Sequence, residues 1–243
     1  RSSRCLKGKR LAGTIEAEKQ TAAEAAVLHV VDGMVVGLGT GSTADFAIRM
    51  LGERVAAGLR ISGVPTSRRS EDLARRLGIP LVTLQDVERI DVTIDGADEI
   101  DPESLALIKG QGGALVREKL VAVASSVVII VADASKIVER LGGRHPVPVE
   151  VLPYGWRVPA TRISKLGGEP VLRTDASGSP FVTDNGNYIL DVIFGPIAQP
   201  DRLARALKEL TGVVDHGLFI DIADCALVAT GDDVREYLSP RQR

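Results

Sequence analysis

The chain has 243 residues, 44% of them hydrophobic, with 30 basic and 32 acidic side chains and a formal net charge of -2. That length and apolar content support a sizeable buried core in one large or two modest domains, while the mixed, near-neutral charge gives no electrostatic footing for nucleic acid or an anionic membrane surface. The two cysteines, Cys5 and Cys225, have no C-x-x-C spacing and suggest neither a disulfide framework nor a zinc site; no apolar run reaches membrane-spanning length, and a reducing cytoplasm is the expected setting.

In chain order, the first ten residues, RSSRCLKGKR, carry five Lys/Arg and no acid, with no apolar segment of signal-peptide length after them. Residues 1–13 are therefore expected to be a disordered tail outside the fold. A first helix is expected from Glu16 to Val31, with Thr14 as its cap and Asp32-Gly33 as its stop. The run Met34 to Leu38 then reads as a strand, followed by Gly39-Thr40-Gly41-Ser42-Thr43 and a helix with Ala44, Ala47, Ile48 and Leu51 on one face. Strand, glycine-rich turn and helix in that order build an anion site, because the helix start offers unpaired N–H groups and the positive end of its dipole. A P-loop is excluded, since no lysine follows Gly41. The dinucleotide fingerprint fails too, with Ser42 at its third glycine and Pro65-Thr66-Ser67 where an acid for a ribose hydroxyl would stand. A small phosphorylated metabolite fits better.

Further on, a strand around Leu59 to Val64, a helix begun at Ser67 or Ser70 and ended by Gly78, an extended Ile79 to Val82, a strand Ile90 to Ile94 running into Asp95, and the β-branched run Val127 to Val131 give the rhythm of a doubly wound, Rossmann-like α/β parallel sheet. From about His145 the pattern becomes β-α-β-β-α-β: Val147 to Leu152, Val158 to Leu166, Pro170 to Arg173, the extended Phe181 to Thr183 with Tyr188 to Val192, Asp201 to Leu210, and Val213 to Phe219. This is the order of a ferredoxin-like α+β domain. The expected organisation is a Rossmann-like domain at 14–143 and 218–243, with the smaller domain inserted at 144–217. A strand at Ala223 to Val228 and a helix from Asp232 to Leu238 would complete the large domain.

Ionisable groups concentrate at Asp95-Gly96-Ala97-Asp98-Glu99, directly after a strand of the parallel sheet, and so on the same rim as the first glycine turn. A second glycine-rich turn, Lys109-Gly110-Gln111-Gly112-Gly113, opens a helix on which Val116, Leu120 and Val123 form the expected apolar stripe, leaving Glu118 pointing away from it. Lys109 among backbone amides suits an anionic oxygen, and Lys136 adds a cation past another strand end. Taken singly, the acidic turn also reads as a solvated loop, and Arg117-Glu118-Lys119 as a surface charge run. His29, His145 and His216 read as structural or exposed.

Together the motifs GLGTGSTA (37–44), DGADEID (95–101), KGQGGALVREK (109–119), ADASK (132–136), PVEVLP (148–153) and VTDNGNYILDV (182–192) resemble, in order and spacing, those of the A-type ribose-5-phosphate isomerases, over about residues 16 to 238. The resemblance implies interconversion of D-ribose 5-phosphate and D-ribulose 5-phosphate through an enediolate, in the non-oxidative branch of the pentose phosphate pathway. It implies no metal or cofactor, no nucleic-acid or membrane partner, and a homodimer or homotetramer. By the same resemblance Thr40, Gly41, Ser42 and Thr43 bind substrate; Asp95, Gly96, Ala97, Asp98, Lys109, Gly110, Gln111 and Gly112 line the sugar; and Lys136 contacts it. Glu118 is then the proton acceptor, Lys109 stabilises the oxyanion, and Asp95 or Asp98 handles hydroxyl protons and ring opening. Gln111 departs from the family, which usually has a third consecutive glycine there; a positive φ at that point would strain it. A sugar-phosphate-sensing domain of a transcription regulator, an acyl-CoA transferase and an amino-sugar-phosphate deaminase are the competing readings, and a sensor has no need of Glu118 with Lys109.

Overall fold

A computed structural model describes residues 12–240; of the expected tail, residues 1–11 lie outside the described residues. Helix α1 (Ala12–Val27) is followed by β1 (Val35–Leu38), α2 (Ser42–Ala56), β2 (Ser62–Pro65), α3 (Arg68–Arg76), β3 (Ile90–Asp95), β4 (Glu99–Ile100), β5 (Leu107–Ile108), α4 (Leu115–Val123) and β6 (Ser125–Asp133). Then come β7 (Val147–Val151), α5 (Arg157–Lys165), β8 (Glu169–Leu172), β9 (Tyr188–Ile193), α6 (Pro200–Lys208), β10 (Val213–His216), β11 (Leu218–Phe219), β12 (Cys225–Thr230) and β13 (Asp233–Leu238).

The main sheet has the order β13-β12-β6-β3-β1-β2, with every neighbouring pair parallel except the antiparallel edge strand β13. The chain steps outward from β1 to β2 and then returns to β3 on the other side, so the strand order reverses between β1 and β3. A crevice opens at the carboxyl ends of strands at such a point. One face of the sheet packs on α1, α2 and α3 through Ala26, Val30, Ile48, Leu51 and Leu73; the other buries Ile130, Val128, Ala226 and Phe219. A second sheet, β10-β7-β9-β8, is antiparallel throughout and packs with α5 and α6 around Val149, Ile163, Leu190 and Leu207. The fold is thus a doubly wound α/β sheet with a smaller ferredoxin-like α+β unit. A short sheet, β11-β5-β4, is hydrogen-bonded to neither but packs on both, through Ile100, Leu107 and Phe219 on one side and Ile108 and Leu218 on the other. Among the described residues no helix is long and apolar enough to cross a membrane.

Several expectations are corrected. α1 begins at Ala12 and ends at Val27, not Glu16 to Val31, so Thr14 lies inside the helix rather than capping it. Its end is set by Arg54, whose guanidinium donates to the carbonyls of Val27 and Val30. Ser67, not Ser70, caps α3; its Oγ accepts from Ser70 N–H at 3.1 Å in a reciprocal pair. The strand expected over Val213 to Phe219 is two strands in different sheets, broken at Gly217, where a Cβ would fall 2.2 Å from Lys109 O. The expected helix Asp232 to Leu238 is strand β13, paired antiparallel with β12 in the register Thr230↔Asp233. The two-residue loop Gly231-Asp232, with Gly231 at φ 61, makes a tight hairpin, and that turn chemistry overrides the helix-like charge pattern after it.

Candidate active site

The loop after β1 is pressed against the end of β3. At Gly39 a Cβ would stand 2.3 Å from Asp95 Oδ1, so only glycine permits this approach. Gly39 N–H donates to Ile94 O at 3.0 Å and Thr40 N–H to Asp95 Oδ1 at 2.9 Å, while the Thr40 hydroxyl lies 2.7 Å from those of Thr66 and Ser67. With the turn so fixed, α2 begins at Ser42 and presents its first N–H groups to the crevice.

A cleft opens there, lined by Thr40, Gly41, Ser42, Thr43, Gly96, Ala97, Asp98, Lys109, Gly110, Gly112, Glu118 and Lys136. Two residues expected at the site stand behind its wall. Asp95 is 2% exposed, and its oxygens are taken by Thr40 N–H, Gly96 N–H at 2.8 Å and the Lys109 ammonium at 2.8 Å. Gln111 N–H donates to Asp98 Oδ2 at 3.1 Å and its side-chain amide donates to Pro146 O at 3.0 Å. The positive φ angles of this turn fall on Gly110 and Gly113, so Gln111 carries no strain of that kind.

The helix α4 presents a face other than the expected one. Leu115, Glu118, Val121 and Ala122 are buried, whereas Leu120 and Val123 are 51% and 63% exposed. Glu118 therefore lies on the inward face, not off it. Its inward turn is made tolerable by Lys109, whose Nζ lies 3.1 Å from Glu118 Oε1 and also donates to Gly96 O. Among the described residues Glu118 Oε2 has no hydrogen-bond partner.

Burial dominates the titration of these groups. Desolvation, opposed by Lys109 and reinforced by Asp95 and Asp98, pushes the Glu118 carboxyl up to about 8. Asp98 is likewise raised by burial, against the pull of the Gln111 N–H, Lys109, Lys136 and His145. For Lys109 burial works against the ammonium, but Asp95, Glu118 and Asp98 outweigh it and hold its pKa above the usual lysine value.

Further contributors were not singled out in the sequence. The Thr66 and Ser67 hydroxyls anchor Thr40, as a strand end rich in hydroxyls could have suggested. Asp133, 1% exposed, accepts from Ser135 N–H at 2.9 Å and so caps the 3-10 turn Ala134–Lys136 that carries Lys136; the D-x-S spacing is the signal for it. Arg117 donates from Nε to Asn185 Oδ1 at 2.9 Å and from Nη2 to Asp184 O at 3.0 Å, tying α4 to the loop before β9. No sequence pattern marks that pairing. Of the histidines, His216 is buried and His29 exposed. No group of three or more His, Cys, Asp or Glu side chains among the described residues is arranged to hold a metal ion.

Residues 62–233 match the model of the family described as ribose 5-phosphate isomerase A (phosphoriboisomerase A). The chain is 54% identical over 220 residues to the ribose-5-phosphate isomerase A of Thermomicrobium roseum, spanning 90% of this chain and 93% of that one, and 56% identical over 212 residues to that of a Synechococcus strain, spanning 87% and 92%. Among solved structures, ribose 5-phosphate isomerase A from Methanocaldococcus jannaschii superposes with a TM-score of 0.89 at 42% identity, over 92% of this chain and 99% of that one. A D-ribose-5-phosphate isomerase in complex with phospho-erythronic acid superposes with a TM-score of 0.90 at 40% identity, over the same shares. The chain belongs to the ribose-5-phosphate isomerase A family.

Proposed function

We propose that the chain is an aldose-ketose isomerase that interconverts D-ribose 5-phosphate and D-ribulose 5-phosphate through an enediolate, as a step of the non-oxidative pentose phosphate pathway. The observation that carries the mechanism is Glu118: a buried carboxyl on the cleft wall, held by Lys109 through Oε1, with Oε2 unpartnered and its pKa raised. Oε2 takes the proton from C2 of the open-chain aldose while the electron pair moves onto the C1 oxygen; the C2 hydroxyl proton passes to that oxygen, and Glu118 returns a proton to C1. A general base of this kind contributes about 10²–10⁴-fold, most when its pKa lies near the working pH. Lys109 stabilises the oxyanion as it develops.

Asp98 lines the cleft and Asp95 does not, which divides their work. Asp98, its carboxyl raised by burial, moves the hydroxyl protons and opens the ring; Asp95 holds Lys109 and the Thr40 turn. Ser42, Thr43 and the start of α2 receive the phosphate, and Lys136 the adjoining oxygens. The ligand of the similar structure supports this substrate class, because a phosphorylated sugar acid presents a planar, two-oxygen anion like that of an enediolate on a phosphorylated polyol. We take the domains as 14–143 with 218–243 and an inserted 144–217; the whole four-stranded sheet lies within the second span. A homodimer or homotetramer in the cytoplasm completes the proposal; for the oligomer alone, the apolar side chains of Leu120 and Val123 left exposed on α4 offer a contact.

The test is Glu118→Gln in a coupled assay with ribose 5-phosphate, run with and without EDTA. Substrate binding persists and turnover falls by about 10³-fold or more, with EDTA making no difference to the parent enzyme. A near-normal rate in the variant would sink the assignment.

A further inference from the structure

Arg173 directly follows β8 and belongs to none of the elements that line the cleft. Its backbone is pinned on both sides, its N–H donating to Ile189 O at 2.8 Å and its carbonyl accepting from Phe181 N–H at 2.9 Å. Its side chain is 12% exposed and held in a two-point contact with Asp191, with Nε 2.9 Å from Oδ2 and Nη2 2.5 Å from Oδ1. The guanidinium lies 5.7 Å from the centroid of the Phe181 ring, and that ring packs on Gly113. The remaining nitrogen, Nη1, donates to two successive carbonyls of the cleft turn, Gly110 O at 3.2 Å and Gln111 O at 3.0 Å.

In a trans peptide the N–H points opposite to the C=O. Holding Gly110 O on the Arg173 side therefore sends Gln111 N–H the other way, to Asp98 Oδ2 at 3.1 Å. Holding Gln111 O does the same for the N–H of Gly112, a residue that lines the cleft. We propose that Arg173, held by Asp191, is a positioning residue that sets both peptide planes of the Gly110-Gln111-Gly112 turn, thereby fixing Asp98 and aiming the Gly112 N–H at a substrate oxygen. It touches no substrate itself. A segment with glycines on both sides of Gln111 has many accessible conformations, and a planar fork that serves one carboxylate and two carbonyls at once selects one of them. Lysine has no such fork. The inference rests on the isomerase reading of the cleft.

The experiment compares Arg173→Ala, Arg173→Lys and Asp191→Asn with Val171→Ala, a control on β8 two residues earlier that is 58% exposed. Steady-state isomerisation of ribose 5-phosphate is measured across pH, alongside thermal melts. In Arg173→Ala kcat falls roughly 10- to 100-fold, the scale of a displaced catalytic group, while KM changes only a few-fold because the phosphate end is untouched. The acid side of the kcat/KM profile also changes shape, beyond the limb that Glu118 sets: Asp98 loses the Gln111 N–H that lowers its pKa and needs a higher pH to ionise, while Lys109, Lys136, His145 and Glu118 still face it. Arg173→Lys and Asp191→Asn fall between parent and Arg173→Ala, and millimolar guanidinium restores part of kcat in Arg173→Ala alone. If Arg173→Ala does not fold, Arg173→Lys, which keeps the charge and the apolar stem, carries the same comparison. A parent-like kcat and acid-side profile in the Arg173 variants, or an equal loss in Val171→Ala, overturns the inference. A parent enzyme that fails to isomerise ribose 5-phosphate overturns the functional reading instead.

Discussion

Two lysines lie close to one phenylalanine ring, and their surroundings are opposite in charge balance. Lys109 Nζ lies 5.5 Å from the centroid of the Phe219 ring and Lys119 Nζ lies 4.8 Å from it. Around Lys109, one ammonium serves two buried carboxylates, Asp95 at 2.8 Å and Glu118 at 3.1 Å. Around Asp215 the ratio is inverted, with one carboxylate serving two ammoniums, Lys119 at 2.6 Å and Lys208 at 2.8 Å. Burial, only partly offset by an ammonium shared between two carboxylates, pushes Glu118 up to about 8. Although burial opposes it, the doubly served Asp215 is pulled down to about 2 by Lys119 and Lys208, while burial lowers the pKa of Lys119 itself. The first arrangement suits the proposed proton acceptor and the second an inert clamp, from the same residue types.

The sharpest way to break the comparison is to remove each lysine in turn. Lys109→Met leaves Asp95 and Glu118 buried without their cation, a loss worth about 3–5 kcal/mol of stability, and on the proposed mechanism takes away the oxyanion donor, for about 10²–10³-fold in kcat. Lys119→Met leaves Asp215 still paired with Lys208, and because burial already disfavours the Lys119 charge, stability changes by about 1 kcal/mol or less and kcat by no more than a few-fold. Denaturant melts and steady-state rates on both variants check this. Equal effects on rate would erase the distinction between the two clusters.

The pH profile sharpens it further. A base must be deprotonated to act, so a raised Glu118 places the acid limb of kcat/KM well above the ordinary carboxylate range, toward pH 8. The expected rise across neutral pH is about tenfold per unit below that limb, and it is absent in Glu118→Gln. An acid limb near pH 4 would mean that burial does not govern this carboxyl.

The elements that carry the cleft were legible because their chemistry is local. GTGST, DGAD and KGQGG each hold turn glycines and polar groups within a few residues of a strand end, and the reversal of strand order between β1 and β3 brings the turns together. The inward face of α4 was misread for a physical reason: apolar periodicity locates a face by its hydrophobes, and here the buried face holds a carboxylate stabilised by a lysine nine residues earlier, while Leu120 and Val123 face outward. The terminal hairpin was misread because a charged segment after Gly231-Asp232 was weighed by its helix-like spacing rather than by its turn. Arg173 could not be seen at all, since its carbonyl partners lie 62 and 63 positions away and a backbone carbonyl carries no sequence signature.

A further contrast concerns stability, and here the two carboxyls should differ in sign. Glu118 binds its proton more tightly folded than unfolded, so between its ordinary value and about 8 the folded state loses stability as pH rises; relative to Glu118→Gln, the parent weakens over that window. Asp215 binds its proton less tightly folded, with a pKa of about 2, so its contribution is complete above the unfolded value and is lost as pH falls from there toward 2. Asp215→Asn therefore costs about 1 kcal/mol at neutral pH, allowing for solvent screening at this partly exposed site, and the deficit closes in acid. Melting temperatures of parent and both variants across pH measure the two slopes. Slopes of the same sign would show that the ratio of lysine to carboxylate does not set the difference between the two clusters near Phe219.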